Sequence, residues 1–102
     1  MLELRPNCER CDKDLPPDAL DAKICSYECT FCAACVRDVL HDVCPNCGGG
    51  FQLRPIRPEQ AWRTLTGLVN DPPSDRRRHT SYTSEEIAEF VGTLRDVPPQ
   101  SR

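Results

Sequence analysis

The chain is short of most of what a small domain uses to hold itself together or to do chemistry. Its 102 residues include one tryptophan, one methionine, two histidines and no apolar run near membrane-spanning length. With no stretch of about 20 apolar residues, no membrane-spanning helix is expected. Met1-Leu-Glu-Leu-Arg-Pro lacks the basic start and apolar run of an export signal. Glu3 and Pro6 interrupt any such pattern, so the expected location is the reducing cytoplasm. A basic excess is absent too. Residues 1–50 carry five Lys and Arg against nine Asp and Glu. That is the wrong sign for a phosphate backbone and argues against nucleic acid as a partner of this half. No nucleophile sits beside a base, so no catalytic residue or organic-cofactor site is assigned and the chain is not expected to be an enzyme. Core candidates in the first half are also few: Leu2, Leu4, Leu15, Leu20, Ile24, Tyr27, Phe31, Val36, Val39, Leu40 and Val43. A piece of that size buries too little apolar surface to offset its chain entropy without disulfides or a metal.

What is abundant is cysteine. Eight fall as four close pairs, Cys8-x2-Cys11, Cys25-x3-Cys29, Cys32-x2-Cys35 and Cys44-x2-Cys47, and none lies elsewhere. A close pair on a tight turn points both sulfurs at one metal at about 2.3 Å, and two such turns complete a tetrahedron. Eight thiolates make two four-ligand sites with none left over. The soft donor set selects zinc over magnesium or calcium, and a filled tetrahedron leaves no position for substrate or water. Two structural zinc ions are therefore expected. Each tetrathiolate zinc is formally −2, which would take residues 1–50 to about −8.

Other cysteine chemistries fit less well. Disulfides suit a secreted chain, and close pairs are poor at closing long loops. Cys29-x2-Cys32-x2-Cys35 with a later Cys44-Pro45 shares part of an iron–sulfur run, but eight residues separate the last two cysteines where that run has three. A dithiol redox pair would need βαβ surroundings, which this chain lacks. His41, three residues before Cys44, reads as a solvated residue at a helix end, because eight thiolates already satisfy two metals. His79 is a loop residue without partners.

Two ligand pairings are open. Sharing between alternate pairs gives Cys8/Cys11/Cys32/Cys35 and Cys25/Cys29/Cys44/Cys47, an interlocked cross-brace. Sharing between neighbours gives Cys8/Cys11/Cys25/Cys29 and Cys32/Cys35/Cys44/Cys47, two ribbons in tandem. The loops of thirteen and eight residues between pairs favour the cross-brace.

The chain divides into a cysteine-rich module with an extended connector, residues 1–58, and a helical extension, residues 59–102. Pro55 and Pro58 bias the connector away from helix. In the extension, Trp62, Leu65 and Val69 share a helical face over about 59–69, with Trp62 as the anchor on the module. Gly67 weakens that helix, and Asn70-Asp71-Pro72-Pro73 ends it. A second helix is expected over about 84–96. Thr83 and Glu86 form a capping-box pattern there, and Ile87, Phe90, Val91 and Leu94 make an apolar stripe. That stripe either packs on the module or docks on a partner. Asp75-Arg-Arg-Arg-His79 reads as a solvated loop or an anionic-partner contact. Gly48-Gly49-Gly50 gives backbone freedom and lacks the setting of a phosphate loop. Gln100-Ser-Arg102 is expected to fray.

Ile24-Cys25-Ser-Tyr-Glu-Cys29-Thr-Phe-Cys32-Ala-Ala-Cys35 followed by Cys44-Pro-Asn-Cys47 resembles a RING-type zinc module. That resemblance implies a metal-stabilised α+β cross-brace with a short helix over Ala33–Leu40. The fourth ligand, usually histidine there, is Cys29 here. Positions through which RING ubiquitin ligases hold their conjugating enzyme are Glu9, a helix without tryptophan, and Gly48, so the resemblance speaks for the fold and against the ligase. A closer resemblance, carried by Leu-Glu-Leu-Arg-Pro-Asn-Cys8, Asp14-Leu-Pro-Pro-Asp18, Glu28-Cys-Thr-Phe-Cys32, Cys44-Pro-Asn-Cys-Gly-Gly49 and Arg54-Pro-Ile-Arg-Pro58, is to a small bacterial zinc-binding family of unknown function. Many members of that family have a further cysteine where this chain has Arg10.

The leading expectation is a non-catalytic zinc protein that binds another protein as an adaptor. A RING-like ligase or transfer cofactor and a thiol redox sensor are the alternatives. The acidic surroundings disfavour the sensor by raising thiol pKa values.

Overall fold

The computed structural model describes all 102 residues. Its scaffold is a three-stranded antiparallel sheet of β1 (Ala22–Ile24), β2 (Thr30–Cys32) and β3 (Gln52–Leu53), in the order β2-β1-β3. Lys23 pairs with Phe31 on one side of β1 and with Leu53 on the other. The strands are short because cysteine turns interrupt them. The β1–β2 hairpin loop is the Cys25–Cys29 pair itself, closed by the Cys25 amide on the Cys29 carbonyl, with Glu28 in the left-handed region. β2 runs directly into a helical turn, α1 (Ala33–Cys35), which continues as a π-helical turn over Val36–Leu40. This is the short helix expected over Ala33–Leu40, with its last turn widened. It stops at His41, which has φ 46°.

Phe31 meets Phe51 edge to face at 5.5 Å between centroids, at the centre of a buried cluster. Leu15, Val36, Leu40 and Val43 join them there, as do six cysteines. Two expected core residues lie at the surface instead: Tyr27 is 72% exposed and Leu20 is 82% exposed. Tyr27 sits in the tight loop between Cys25 and Cys29, where no layer lies above it.

The extension differs from expectation in one half and matches in the other. No helix forms over 59–69. Leu65 and Gly67 both have positive φ, and the Leu68 amide returns to the Pro58 carbonyl in place of a helical partner. An isolated eleven-residue helix with a glycine in its last turn is marginal unless its apolar face is buried. Here nothing covers that face: Trp62 is 77% exposed, and Leu65 and Val69 are similarly bare. Trp62 is thus not an anchor.

The second helix, α2 (Ser84–Leu94), forms with its capping box complete: Thr83 accepts from the Glu86 amide and Glu86 accepts from the Thr83 amide. Ile87 and Val91 enter the same cluster as Phe31, so the stripe packs on the cysteine module. Phe90 and Leu94 reach Gly48, whose φ of 82° favours glycine and where a Cβ would meet Leu94 Cδ1 at 3.2 Å. Ile87→Ala should cost about 2–4 kcal/mol in denaturant titrations of the metal-loaded protein, whereas Trp62→Ala should stay within about 0.5 kcal/mol. The C-terminus is held rather than frayed. It forms a 3₁₀ turn, Pro99–Ser101, and Arg102 donates to the carbonyls of Asp42 and Gly48.

Candidate metal centres

Each close cysteine pair lies where the backbone reverses. The Cys8–Cys11 turn is closed by an Asn7–Asp14 bridge and by the Cys8 amide on the Lys13 carbonyl, with Asp12 left-handed. The Cys44–Cys47 turn is closed by the Gly48 amide on the Cys44 carbonyl at 2.7 Å. Cys32 and Cys35 are set by the junction of β2 and α1, one helical turn apart. These reversals leave amide hydrogens facing inward toward the sulfurs. The Gly49 amide approaches Cys47 Sγ at 3.4 Å.

The sulfurs of Cys8, Cys11, Cys32 and Cys35 all lie within 4.8 Å of one another. Cys11 Sγ and Cys32 Sγ are 3.8 Å apart. A tetrahedron with metal–sulfur bonds of about 2.3 Å has sulfur–sulfur edges of about 3.8 Å. A second group, Cys25, Cys44 and Cys47, meets the same mutual limit. Cys29 falls outside that limit but is a hydrogen-bond neighbour of both Cys25 and Cys44. The structure therefore gathers sulfurs from the first and third pairs, and from the second and fourth. The two clusters are near enough to hold two metal ions.

The electrostatics of the clusters suit a cation. None of the eight cysteines is in a disulfide. Hydrogen bonds from Cys29 and Cys44 pull the Cys25 thiol down to about 4. The reciprocal contacts, Cys25 first and then Cys29, push Cys44 well above the usual thiol range. Burial pushes Cys35 up likewise. One thiol per cluster ionises readily and its neighbours then resist, because like charges at this spacing repel. Only a bound cation lets the whole set become thiolate. Arg10 Nη1 lies 3.5 Å from Cys35 Sγ, which turns a guanidinium toward the first cluster. Neither His41 nor His79 belongs to a cluster.

Four polar residues, Glu9, Arg54, Arg77 and Arg78, were not legible as structural in the sequence. Glu9 follows the first cysteine and is only 4% exposed. It accepts from the Thr30 amide and from Arg5 Nη1 at 2.9 Å, and Arg5 also donates to Glu3. Its carboxylate thus ties the first knuckle to the start of β2. Arg54, within the supposed plain connector, is buried. It donates to the carbonyls of Arg5, Leu15 and Pro16 at 2.8, 3.2 and 2.8 Å. Arg54→Ala should lower stability by about 2–3 kcal/mol in the same titrations, since three carbonyls lose a charged donor at once. The basic run is not merely solvated either. Arg77 donates to Asp12 and Asp14, Arg78 donates to Glu3, and the Arg78 backbone exchanges hydrogen bonds with the Asn7 side chain. Residues 74–80 lie as a strap over the first knuckle, with the Ser74 amide on Leu4 and the Thr80 amide on Glu9. The only advance signal was charge: three arginines in the tail and three acids around Cys8–Cys11.

A protein-family model described as "Protein of unknown function (DUF1272)" matches residues 1–57. An uncharacterized protein of Rhizobium meliloti (strain 1021) is 64% identical over 58 residues, which are 57% of this chain and 69% of the relative. No solved structure matches. The matched residues contain every cysteine, Glu9 and Arg54, whereas the strap and α2 lie beyond them.

Proposed function

Because the chain belongs to the DUF1272 family, whose function is unknown, we propose from the site alone that it is a non-catalytic zinc protein. Two structural zinc ions brace a surface that binds another protein in the cytoplasm. The proposed ligands are Cys8, Cys11, Cys32 and Cys35 for one zinc and Cys25, Cys29, Cys44 and Cys47 for the other, in a RING-like cross-brace.

One observation carries this reading: sulfur is the sole donor gathered in either cluster. Four thiolates close a zinc tetrahedron, and a closed site does not bind a reactant. The interleaving of the pairs supports the cross-brace, because neither knuckle can swing away without opening both sites. The ligase alternative loses support at Glu9, which spends its carboxylate on Thr30 and Arg5 beneath the surface.

Cys29 is where the reading is most exposed to test. A three-cysteine site with an open fourth position would be catalytic in type. Cobalt substitution separates the two. Cobalt-loaded protein should give the intense absorption of tetrahedral tetrathiolate sites, unchanged on adding azide. A spectrum that shifts with azide means an open coordination position and ends the structural reading for that site.

A further inference from the structure

We propose that the cleft between the Cys44–Cys47 knuckle and α2 is a binding site for an arginine side chain of a partner protein. The cleft has a volume of about 500 Å³. Pro45 and Cys47 line it from the knuckle, Tyr82 and Phe90 from α2 and its approach, and Glu86 and Glu89 add two carboxylates. No lysine or arginine lines it.

The composition is that of a cation site. α2 buries Ile87 and Val91 but leaves Phe90 38% exposed and Tyr82 45% exposed. An aromatic face attracts a guanidinium at about 0.5–1 kcal/mol when exposed. Arginine is favoured over lysine because its plane stacks and its fork fits a carboxylate. None of the ion pairs of the structure includes Glu89, and Glu86 commits one oxygen to the Thr83 amide. The second cluster, loaded with zinc, would add a formal −2 at the floor beside Cys47. This inference rests on the proposed interaction role and gives its partner a chemistry.

The test uses the full-length zinc-loaded chain and two capped tripeptides, acetyl-Ala-Arg-Ala-amide and acetyl-Ala-Glu-Ala-amide, followed by amide NMR shifts. The arginine peptide should shift the amides of Cys47, Tyr82 and Phe90 saturably, and the glutamate peptide should not. Glu89→Gln and Tyr82→Ala, both at exposed positions, should each weaken the arginine peptide about two- to fivefold. No saturable shift, equal shifts by both peptides, or indifference to both variants overturns the proposal. Shifts at these amides that grow with protein concentration alone would also overturn it, since they identify the occupant as a second copy of this chain. Failure of the zinc reading is seen separately, as a sample without bound zinc or without dispersed amides before any peptide is added.

Discussion

Stripping zinc from the protein with a strong chelator should unfold residues 1–58 outright, not soften them. The comparison of magnitudes decides this. A structural zinc contributes about 10–16 kcal/mol of apparent binding free energy at neutral pH, and a whole domain of this size is stable by about 5–15 kcal/mol. The buried cluster cannot make up the difference, because six of its fifteen residues are the cysteines themselves. Without metal those thiols are also a burden. Cys35 and Cys44 resist ionisation in the folded arrangement, and Cys25 ionises early. Far-ultraviolet circular dichroism and amide dispersion should collapse together as zinc is removed. The α2 signal should go with them, because Ile87 and Val91 have no other surface to bury against. Cys8→Ser should have much the same effect locally, with loss of the first zinc. A metal-free protein that keeps its dispersed amide spectrum would show that the clusters are incidental to the fold.

Glu9→Ala should be the most damaging substitution outside the cysteines, at about 3–5 kcal/mol. The carboxylate is buried, and its removal leaves the Thr30 amide without an acceptor. It also strips Arg5 of one of its two carboxylate partners, while that guanidinium is itself largely enclosed. Glu9 and Glu3 together hold the Arg5 pKa above its ordinary value against the opposing effect of burial. Glu9→Gln should cost less, because an acceptor for Thr30 survives. A double-mutant cycle with Arg5→Met, read by urea denaturation of zinc-loaded protein, should recover a coupling above about 1 kcal/mol. A neutral Glu9→Ala would return this residue to the surface role that a RING ligase gives it.

The residues differ in how readily the sequence discloses them. The cysteine pairs were legible because ligand chemistry needs two sulfurs on one tight turn, and spacing alone states that. α2 was legible because the capping box and the Ile87–Leu94 stripe are local signals that agree with each other. The supposed helix over 59–69 had a stripe with no cap and a glycine inside it. Its apolar face found no surface to cover, and tertiary context overrode the pattern. Glu9, Arg54 and the arginine strap were hidden for a different reason. Apart from the Arg5–Glu9 pair, their partners lie 21 to 75 residues away in the chain, and a charged side chain carries no mark of the distant carbonyl or carboxylate that will bury it. Arg54 shows this most plainly: a basic residue between two apolar-looking neighbours of a Pro-rich connector becomes the clamp on the first knuckle.

Zinc-edge X-ray absorption on the purified full-length protein, with metal content measured on the same sample, tests the two structural centres most directly. Two zinc ions per chain, with a shell of four sulfurs at about 2.3 Å and no lighter scatterer, is the predicted result. One zinc per chain, or a nitrogen or oxygen atom in the first shell, would contradict it.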